Sequence, residues 1–462
     1  MKHPSSNPAA AIICVALAAL LGGLAHASAD EPSAPGAENS ADCHVGIYAL
    51  RGGGDIDIGA AGDGHLRWRR KDGTSGLLTE ADGRWTSTLG WTGRPDGKQV
   101  SFSACDAGRI VFDGVPGTRI AFDVKETTFD GAGARLAGRL VLPKGGKRVP
   151  IVVLVHGSEH SSALESYSLQ RQLPSEGIGV FVYDKRGTGA SAGVYSQSYL
   201  MLADDAIAAV HEARRLAGDR AGRIGYQAGS QGGWVAPLAA KIEPVDFVIV
   251  GFGLAVSAIE EDRQAIALDM TRNGYDADVM AKAMEVADAT AAIIRSGFRD
   301  GYEQLAKLRA RYAGEDWFKK VHGDFSFFLL EQPEATVREQ GPALLAGVPA
   351  DHDPMPVLRN LDVPQLWILG EDDSEAPSAE TARRLRALIA SGRPITLAVF
   401  PHADHGIYEY ETTADGKRLS TRNPDGYFAM MRDFIRDGRL RGHSVKSTAT
   451  LTYPSRAAAR KP

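Results

Sequence analysis

The sequence predicts an α/β chain: a mostly parallel sheet covered on both faces, carrying a helical insertion and preceded by a small all-β domain. Three observations predict it. Residues 149–155, 179–183 and 247–250 are continuous apolar, β-branched runs, the pattern of strands buried on both faces. Helical periodicity lies between such runs, as at residues 204–216, where Ile207, Val210 and Ala213 share one face. Residues 42–117 instead carry short alternating runs punctuated by Asp63-Gly64, Asp72-Gly73, Asp82-Gly83, Asp96-Gly97 and Asp113-Gly114, a hairpin signal.

The 462 residues are 44% hydrophobic and 24% charged, which describes a globular chain of more than one domain. The net charge of -5, with no basic stripe, argues against a nucleic-acid partner. Lys2, the apolar run 9–24 and the A-x-A site Ala25-His26-Ala27 read as a signal peptide over residues 1–27, with Ala27-Ser28-Ala29 as a second cleavage choice. The run falls short of the roughly 20 residues a spanning helix needs, so no stable membrane insertion is expected after cleavage. An uncleaved anchor is the alternative. Cys14 follows Ile12 and Ile13 rather than a small residue, which argues against a lipoprotein signal. Export, to the periplasm or beyond, would put Cys43 and Cys105 in an oxidising compartment, where a disulfide is expected rather than two free thiols.

In chain order, residues 31–40 read as a flexible leader. The all-β domain, 42–117, is expected to close as a barrel or sandwich with Trp68, Trp85 and Trp91 in its core; an aromatic carbohydrate platform is the alternative. A second domain spans 120–440. It opens with an antiparallel pair, 122–129 and 135–142, before the buried strands. Residues 254–349 are helix-patterned throughout, from a Ser257–Glu260 capping box through a helix face of Val279, Ala283, Val286, Thr290 and Ile293. This insertion reads as a cap over the sheet, or else as a peripheral elaboration. Sheet grammar resumes with strands at 364–369 and 395–400 around a helix at 379–389, and a last helix covers 426–437. The tail, 442–462, reads as loose.

The chemistry-bearing residues sit where strands end. Ser230 follows the strand 223–228 at a cluster of small residues and precedes a helix. Such a serine needs glycines to relieve crowding, here Gly229 and Gly232, and gains from the helix N-terminus behind it. A serine hydroxyl also needs a histidine to take its proton and an acid to orient that histidine. The register G-x-x-D-x-x-x-P at 370–377 selects Asp373, with Asp372 as runner-up. His405, beside Gly406, is the expected base and His402 its competitor. A metal reading of His402, Asp404 and His405 lacks a fourth ligand, so neither metal nor cofactor is expected. The Gln231 and Ser158 N–H groups are the expected oxyanion donors, with His156 structural and Glu159 and His160 as candidate substrate contacts.

Taken together, Val155-His156-Gly157-Ser158, Asp184-Lys185-Arg186-Gly187-Thr188-Gly189-Ala190-Ser191, Ser230-Gln231-Gly232-Gly233, the loop 370–377 and His405-Gly406 occur in the order that resembles a bacterial serine carboxylesterase of the α/β-hydrolase superfamily, with an N-terminal β domain and a helical cap. The resemblance implies an exported hydrolase of small-molecule esters working through an acyl-enzyme. It also implies that Asp184 and Arg186 shape a turn beside the site. The chain departs from the pattern at Ala228 and across 159–162, which bears on substrate class. Two other functions fit: a serine peptidase or aminopeptidase, with Glu260, Glu261 and Asp262 to receive an amine, and a catalytically silent surface-binding protein. Oligomeric state is not readable.

Overall fold

The computed structural model describes residues 41–440 and 447–454. The expected signal peptide and leader, and most of the tail, lie outside them. Eight antiparallel strands close a barrel: β1 (Gly46–Leu50), β2 (Asp55–Ala60), β3 (Leu66–Arg69), β4 (Ser75–Ala81), β5 (Arg84–Leu89), β6 (Pro95–Phe102), β7 (Arg109–Phe112) and β8 (Val115–Arg119), with β8 returning to β1. Asp82-Gly83 and Asp113-Gly114 each hold two consecutive positive φ angles, the backbone of a tight hairpin turn whose twist matches the strands, and Asp63-Gly64 continues a run of positive φ begun at Gly62 in a longer turn. Ile56, Ile58, Leu66, Trp68 and Leu78 fill the interior, and Trp68 Nε1 donates to Ser87 Oγ at 2.7 Å. Cys43 and Cys105 are joined by a disulfide.

Two expectations fail here. Asp96-Gly97 is not a hairpin tip. It lies inside β6, where the pairing with β5 shifts register, and the turn falls earlier, over residues 90–94. Trp91, carried on that turn, is 38% exposed and packs outside the barrel. Its ring meets Tyr408 edge-on at 4.6 Å, with the Arg67 guanidinium 4.0 Å from its centroid.

The central sheet contains β9 (Phe122–Asp130), β10 (Arg135–Pro143), β11 (Val149–Val155), β12 (Gly179–Tyr183), β13 (Ala221–Gly229), β14 (Phe247–Gly251), β15 (Gln365–Gly370) and β16 (Ile395–Phe400). From β11 to β16 every pairing is parallel, and β9 and β10 add antiparallel strands at one edge. One face packs on the helices Tyr199–Ala217, Gly232–Ile242 and Ala379–Ala390, through Val210, Val235 and Leu385 among others. The other face packs on Tyr427–Asp437 through Met431 and Phe434. Because the inner strands run parallel, the loops after β11, β13, β15 and β16 emerge on one edge of the sheet.

Between β14 and β15 come the helices Ala258–Arg272, Ala277–Arg295, Tyr302–Tyr312, Ser326–Glu331, Glu334–Leu345 and Met355–Arg359. Ser257 Oγ accepts from Glu260 N at 3.2 Å, and Asp276 caps the next helix through Val279 N. None of the helices among the described residues is long and apolar enough to cross a membrane.

After β16 the chain forms a three-stranded patch, β17 (Ala403–Asp404), β18 (Tyr408–Thr412) and β19 (Arg418–Arg422), and later β20 (Thr450–Thr452) pairs antiparallel with β16. The expectation of a loose tail fails at these last three residues. Backbone hydrogen bonds between distant segments hold them, and no local pattern encodes those. The patch docks on the barrel: Trp91 N donates to Ser420 O and Asn423 N to Gly73 O.

This seam is close. A Cβ on Gly90, where φ is +50°, would lie 2.3 Å from Thr421 O, whereas Gly93 has φ +70° and open space around it. Gly93→Ala is expected to cost about 1 kcal/mol for backbone strain alone. Gly90→Ala should cost about 3 kcal/mol, because the clash adds to that strain. Urea unfolding of the two variants checks this, and equal losses would show that the seam is loose.

Candidate active site

β13 ends at Gly229, and the next residue, Ser230, sits at φ +49°, a left-handed conformation that L side chains avoid. Ser230 N donates to Gly251 O at 3.1 Å, and Gly233 N donates to Ser230 O at 2.8 Å, starting the helix Gly232–Ile242. The crowding that demands small residues is measurable. A Cβ on Gly232 would lie 2.8 Å from His156 O and 3.0 Å from the Ala228 methyl, and one on Gly229 would strike the Phe252 ring at 2.6 Å. Ala228 is therefore accommodated because its methyl uses the space that Gly232 leaves empty.

The acid loop follows β15. Asp373 is 2% exposed, and its Oδ1 accepts from Glu375 N at 3.1 Å and Ala376 N at 2.8 Å. His405 Nδ1 lies 3.0 Å from Asp373 Oδ2. Asp372 turns away, accepting from Tyr410 Oη at 2.8 Å. His402 projects outward with its side chain 90% exposed, 3.6 Å from Asp372, so it does not converge with His405 and Asp404 on a metal-sized space. Asp404 instead ties the two loops together, taking Ser374 N at 2.8 Å, His405 N at 2.9 Å and Arg418 Nη1 at 2.9 Å. That role was not read from the sequence.

The far side of the imidazole faces Glu375, whose Oε1 is 3.6 Å from His405 Nε2, and the ring meets Phe252 edge-on at 4.9 Å. Among the described residues, Ser230 Oγ makes no hydrogen bond to His405. Such contacts commonly tighten only with substrate in place. Burial lowers the His405 pKa, but the charge and hydrogen bond of Asp373, then Glu375 and Asp404, outweigh it and raise it to about 9. If His405 must be neutral to accept a proton, kcat/KM should climb about tenfold per pH unit from pH 7 toward an inflection near 9. Glu375→Gln should move that inflection down. A profile flat from pH 7 upward would remove His405 as the titrating base.

The sequence model described as "Alpha/beta hydrolase family" matches residues 152–415, more than half of the chain. The chain belongs to the alpha/beta hydrolase family. No curated protein matches the sequence. Similar solved structures include an esterase of Pyrococcus furiosus (15% identity, 62% of this chain and 83% of that one, TM-score 0.40). An acylaminoacyl peptidase of Pyrococcus horikoshii shares 16% identity over 76% of this chain and 52% of that one, TM-score 0.38. Est1E of Butyrivibrio proteoclasticus, with ferulic acid bound, shares 16% over 68% and 97%, TM-score 0.39. Likenesses this distant leave the function to the hydrolase's own residues.

In this hydrolase the loop after β11 lies against the elbow: a Cβ at Gly157 would be 3.5 Å from Ser230 Cβ. Neither the Gln231 N–H nor the Ser158 N–H is used by another backbone carbonyl among the described residues. Gln231 is fixed by its side chain, Nε2 donating to Gln197 Oε1 at 2.5 Å. Ser158 O accepts from Tyr195 Oη at 2.5 Å.

The buried Lys185 donates to Gly157 O at 2.8 Å and lies 4.5 Å from the Tyr195 ring centroid, so it clamps this loop from below. Burial, partly opposed by Glu159, lowers its pKa to about 8. Lysine within the Asp184–Ser191 motif gave no sequence signal of that role. Its neighbours do shape a turn, with Asp184 accepting from Ala190 N and Ser162 Oγ, and Arg186 paired with Asp205 at 2.7 Å.

Glu159 lines the pocket above Ser230, whereas His160 stacks on Tyr195 at 3.6 Å. Burial raises the Glu159 pKa, but His156, whose Nδ1 is 3.3 Å away, and the Tyr167 hydroxyl outweigh it and hold it at about 2. On the cap side, Glu260 is taken by Arg384 at 2.5 Å. Asp262 is buried, accepting from Phe325 N and Ser326 N. Glu261 is left, and burial together with the charges of Asp324, Glu375 and Asp373 pushes it well above the usual carboxylate range; burial and Asp262 do the same to Asp324.

Proposed function

We propose that this hydrolase cleaves carboxylic esters through an acyl-enzyme. Ser230 attacks the carbonyl and His405 takes and returns the proton. Asp373 holds the tautomer that leaves Nε2 free to accept, and the Gln231 and Ser158 N–H groups stabilise the oxyanion. The observation that carries the reading is the buried Asp373 carboxylate, 3.0 Å from His405 Nδ1 on the sheet edge where Ser230 occupies its left-handed turn. Carboxylate and imidazole then prepare a base on the sheet edge that carries the crowded, half-buried Ser230. A series of 4-nitrophenyl esters of increasing acyl length tests it. Turnover should be lost with Ser230→Ala, and inactivity of the unmutated protein on every ester would refute it. We read the chain as exported, which the Cys43–Cys105 bond supports. A mature N-terminus at Ser28 or beyond, by mass spectrometry, is the expected result.

Glu261 favours a second reading, a peptidase acting on substrates with a free amine. It shares its surroundings with Asp324 and Glu375, and Glu375 lies 3.6 Å from His405 Nε2. An ammonium group there would relieve the mutual repulsion of the carboxylates. Faster hydrolysis of aminoacyl 4-nitroanilides than of 4-nitrophenyl esters would select it.

A further inference from the structure

We propose that the barrel completes the substrate pocket, and that Arg69 and Arg70 select substrates carrying a carboxylate on the limb that enters it. This rests on reading Ser230 as the nucleophile.

The cavity, about 350 Å³, is lined by Ser230 and Gly157. Arg69 and Arg70 from the barrel line it too, and Phe428 and Met431 supply apolar surface. A volume of this order holds a limb of several heavy atoms.

The positive charge of the pair is only partly met within the protein. The carboxylate near Arg69 is Asp57, at 3.9 Å, and both oxygens of Asp57 are already held by Arg171, at 2.5 and 3.0 Å. Arg70 forms no ion pair among the described residues; its guanidinium lies 5.3 Å from the Phe112 ring centroid. Two other cations at the same seam are closed on carboxylates: Lys71 on Asp55 at 2.7 Å, Arg94 on Glu411 at 2.5 Å.

The carboxylate that lines the same pocket, Glu159, accepts from the Tyr167 hydroxyl and lies 3.3 Å from His156 Nδ1. The loop that carries Arg70 is pinned, Arg70 N donating to Thr74 O at 2.8 Å and Asn423 N to Gly73 O at 3.0 Å. Two arginines that line the pocket from a pinned stretch of barrel, beside apolar surface that weakens solvent screening, are suited to a carboxylate. The barrel thereby has a task in recognition, and the charge it contributes is opposite in sign to that of the chain as a whole.

The test compares matched esters on the mature chain: mono-4-nitrophenyl glutarate against 4-nitrophenyl pentanoate for the acyl limb, and the butanoyl ester of 4-hydroxybenzoate against that of its methyl ester for the alcohol limb. In one series the ratio of kcat/KM, anionic over neutral, should exceed about ten and fall as salt rises. In Arg69→Gln/Arg70→Gln it should drop to about one, and Arg69→Lys/Arg70→Lys should keep part of it. Ratios unchanged by the glutamine pair in both series would overturn the proposal.

If no ester is turned over, the hydrolase reading fails by itself, and selectivity is then read by calorimetric titration of glutarate. Binding that the glutamine pair abolishes supports the arginine wall. Absence of binding to the unmutated chain refutes it.

Discussion

Ser230→Ala is expected to lower kcat on a 4-nitrophenyl ester by about 10⁵-fold, with little change in KM. The size follows from what the hydroxyl does. It supplies the electron pair that forms the acyl-enzyme, and no neighbouring side chain among the described residues replaces it: Gly229 and Gly232 flank it, and the Gln231 side chain is held by Gln197. Residual hydrolysis would come from the oxyanion donors and binding alone. Stability supplies an independent check. Alanine at φ +49° is as strained as serine, so Ser230→Ala should unfold at nearly the same denaturant concentration as the parent. Ser230→Gly removes the strain and should be more stable by about 1 kcal/mol, though equally inactive. Stability gained while activity vanishes would mark the position as one kept for chemistry. A loss of activity below about tenfold in both variants would put the nucleophile elsewhere.

The legible parts of this chain are those whose information is local. Val149–Val155 and Gly179–Tyr183 are apolar on every residue or nearly so, which announces strands buried on both faces, and such strands need helices to cover them. Asp63-Gly64, Asp82-Gly83 and Asp113-Gly114 announce turns because few other pairs accept two positive φ angles in succession. The spacing from Gly370 to Pro377 fixes which acidic side chain the loop can turn inward, since the Glu375 and Ala376 N–H groups must find an acceptor.

What was not legible depends on partners far away in sequence. Trp91 has the composition of a core residue, yet it lies outside the barrel because Tyr408 and Arg67 form a surface for it there. Thr450–Thr452 has no pattern of its own and becomes a strand because β16 has an open edge. Glu261 reads as the first turn of a solvated helix, and only the meeting of Ala258–Arg272 with the loop before Ser326–Glu331 and with the acid loop encloses it among carboxylates. Arg69 and Arg70 close an otherwise ordinary barrel strand, and nothing in that strand reveals that a cavity shared with Ser230 lies beside it.

Asp373→Asn should lower kcat by about 10⁴-fold, and Asp372→Asn by less than about threefold. The two positions are adjacent and chemically identical, so the contrast isolates geometry. At 373 the amide has the same shape as the carboxylate and still offers one oxygen to Glu375 N or Ala376 N, so the loop should survive. Its other terminus, now an N–H donor 3.0 Å from His405 Nδ1, would favour the tautomer protonated at Nε2, which cannot accept the Ser230 proton. The substitution also removes the largest influence raising the His405 pKa, so what activity remains should show its alkaline inflection well below the parent's value of about 9. At 372 the change costs only the partnership with Tyr410 Oη and a 3.6 Å contact to an exposed His402, neither of which reaches the imidazole. The pH profile is what separates orientation from mere structure. A variant damaged only in folding would lose amplitude at every pH with its inflection in place, whereas a misoriented base must lose amplitude and shift. If Asp372→Asn proved the more damaging, with the inflection displaced, the acid loop would have to turn by one residue in the working enzyme, and Asp372 would take over the pairing with His405.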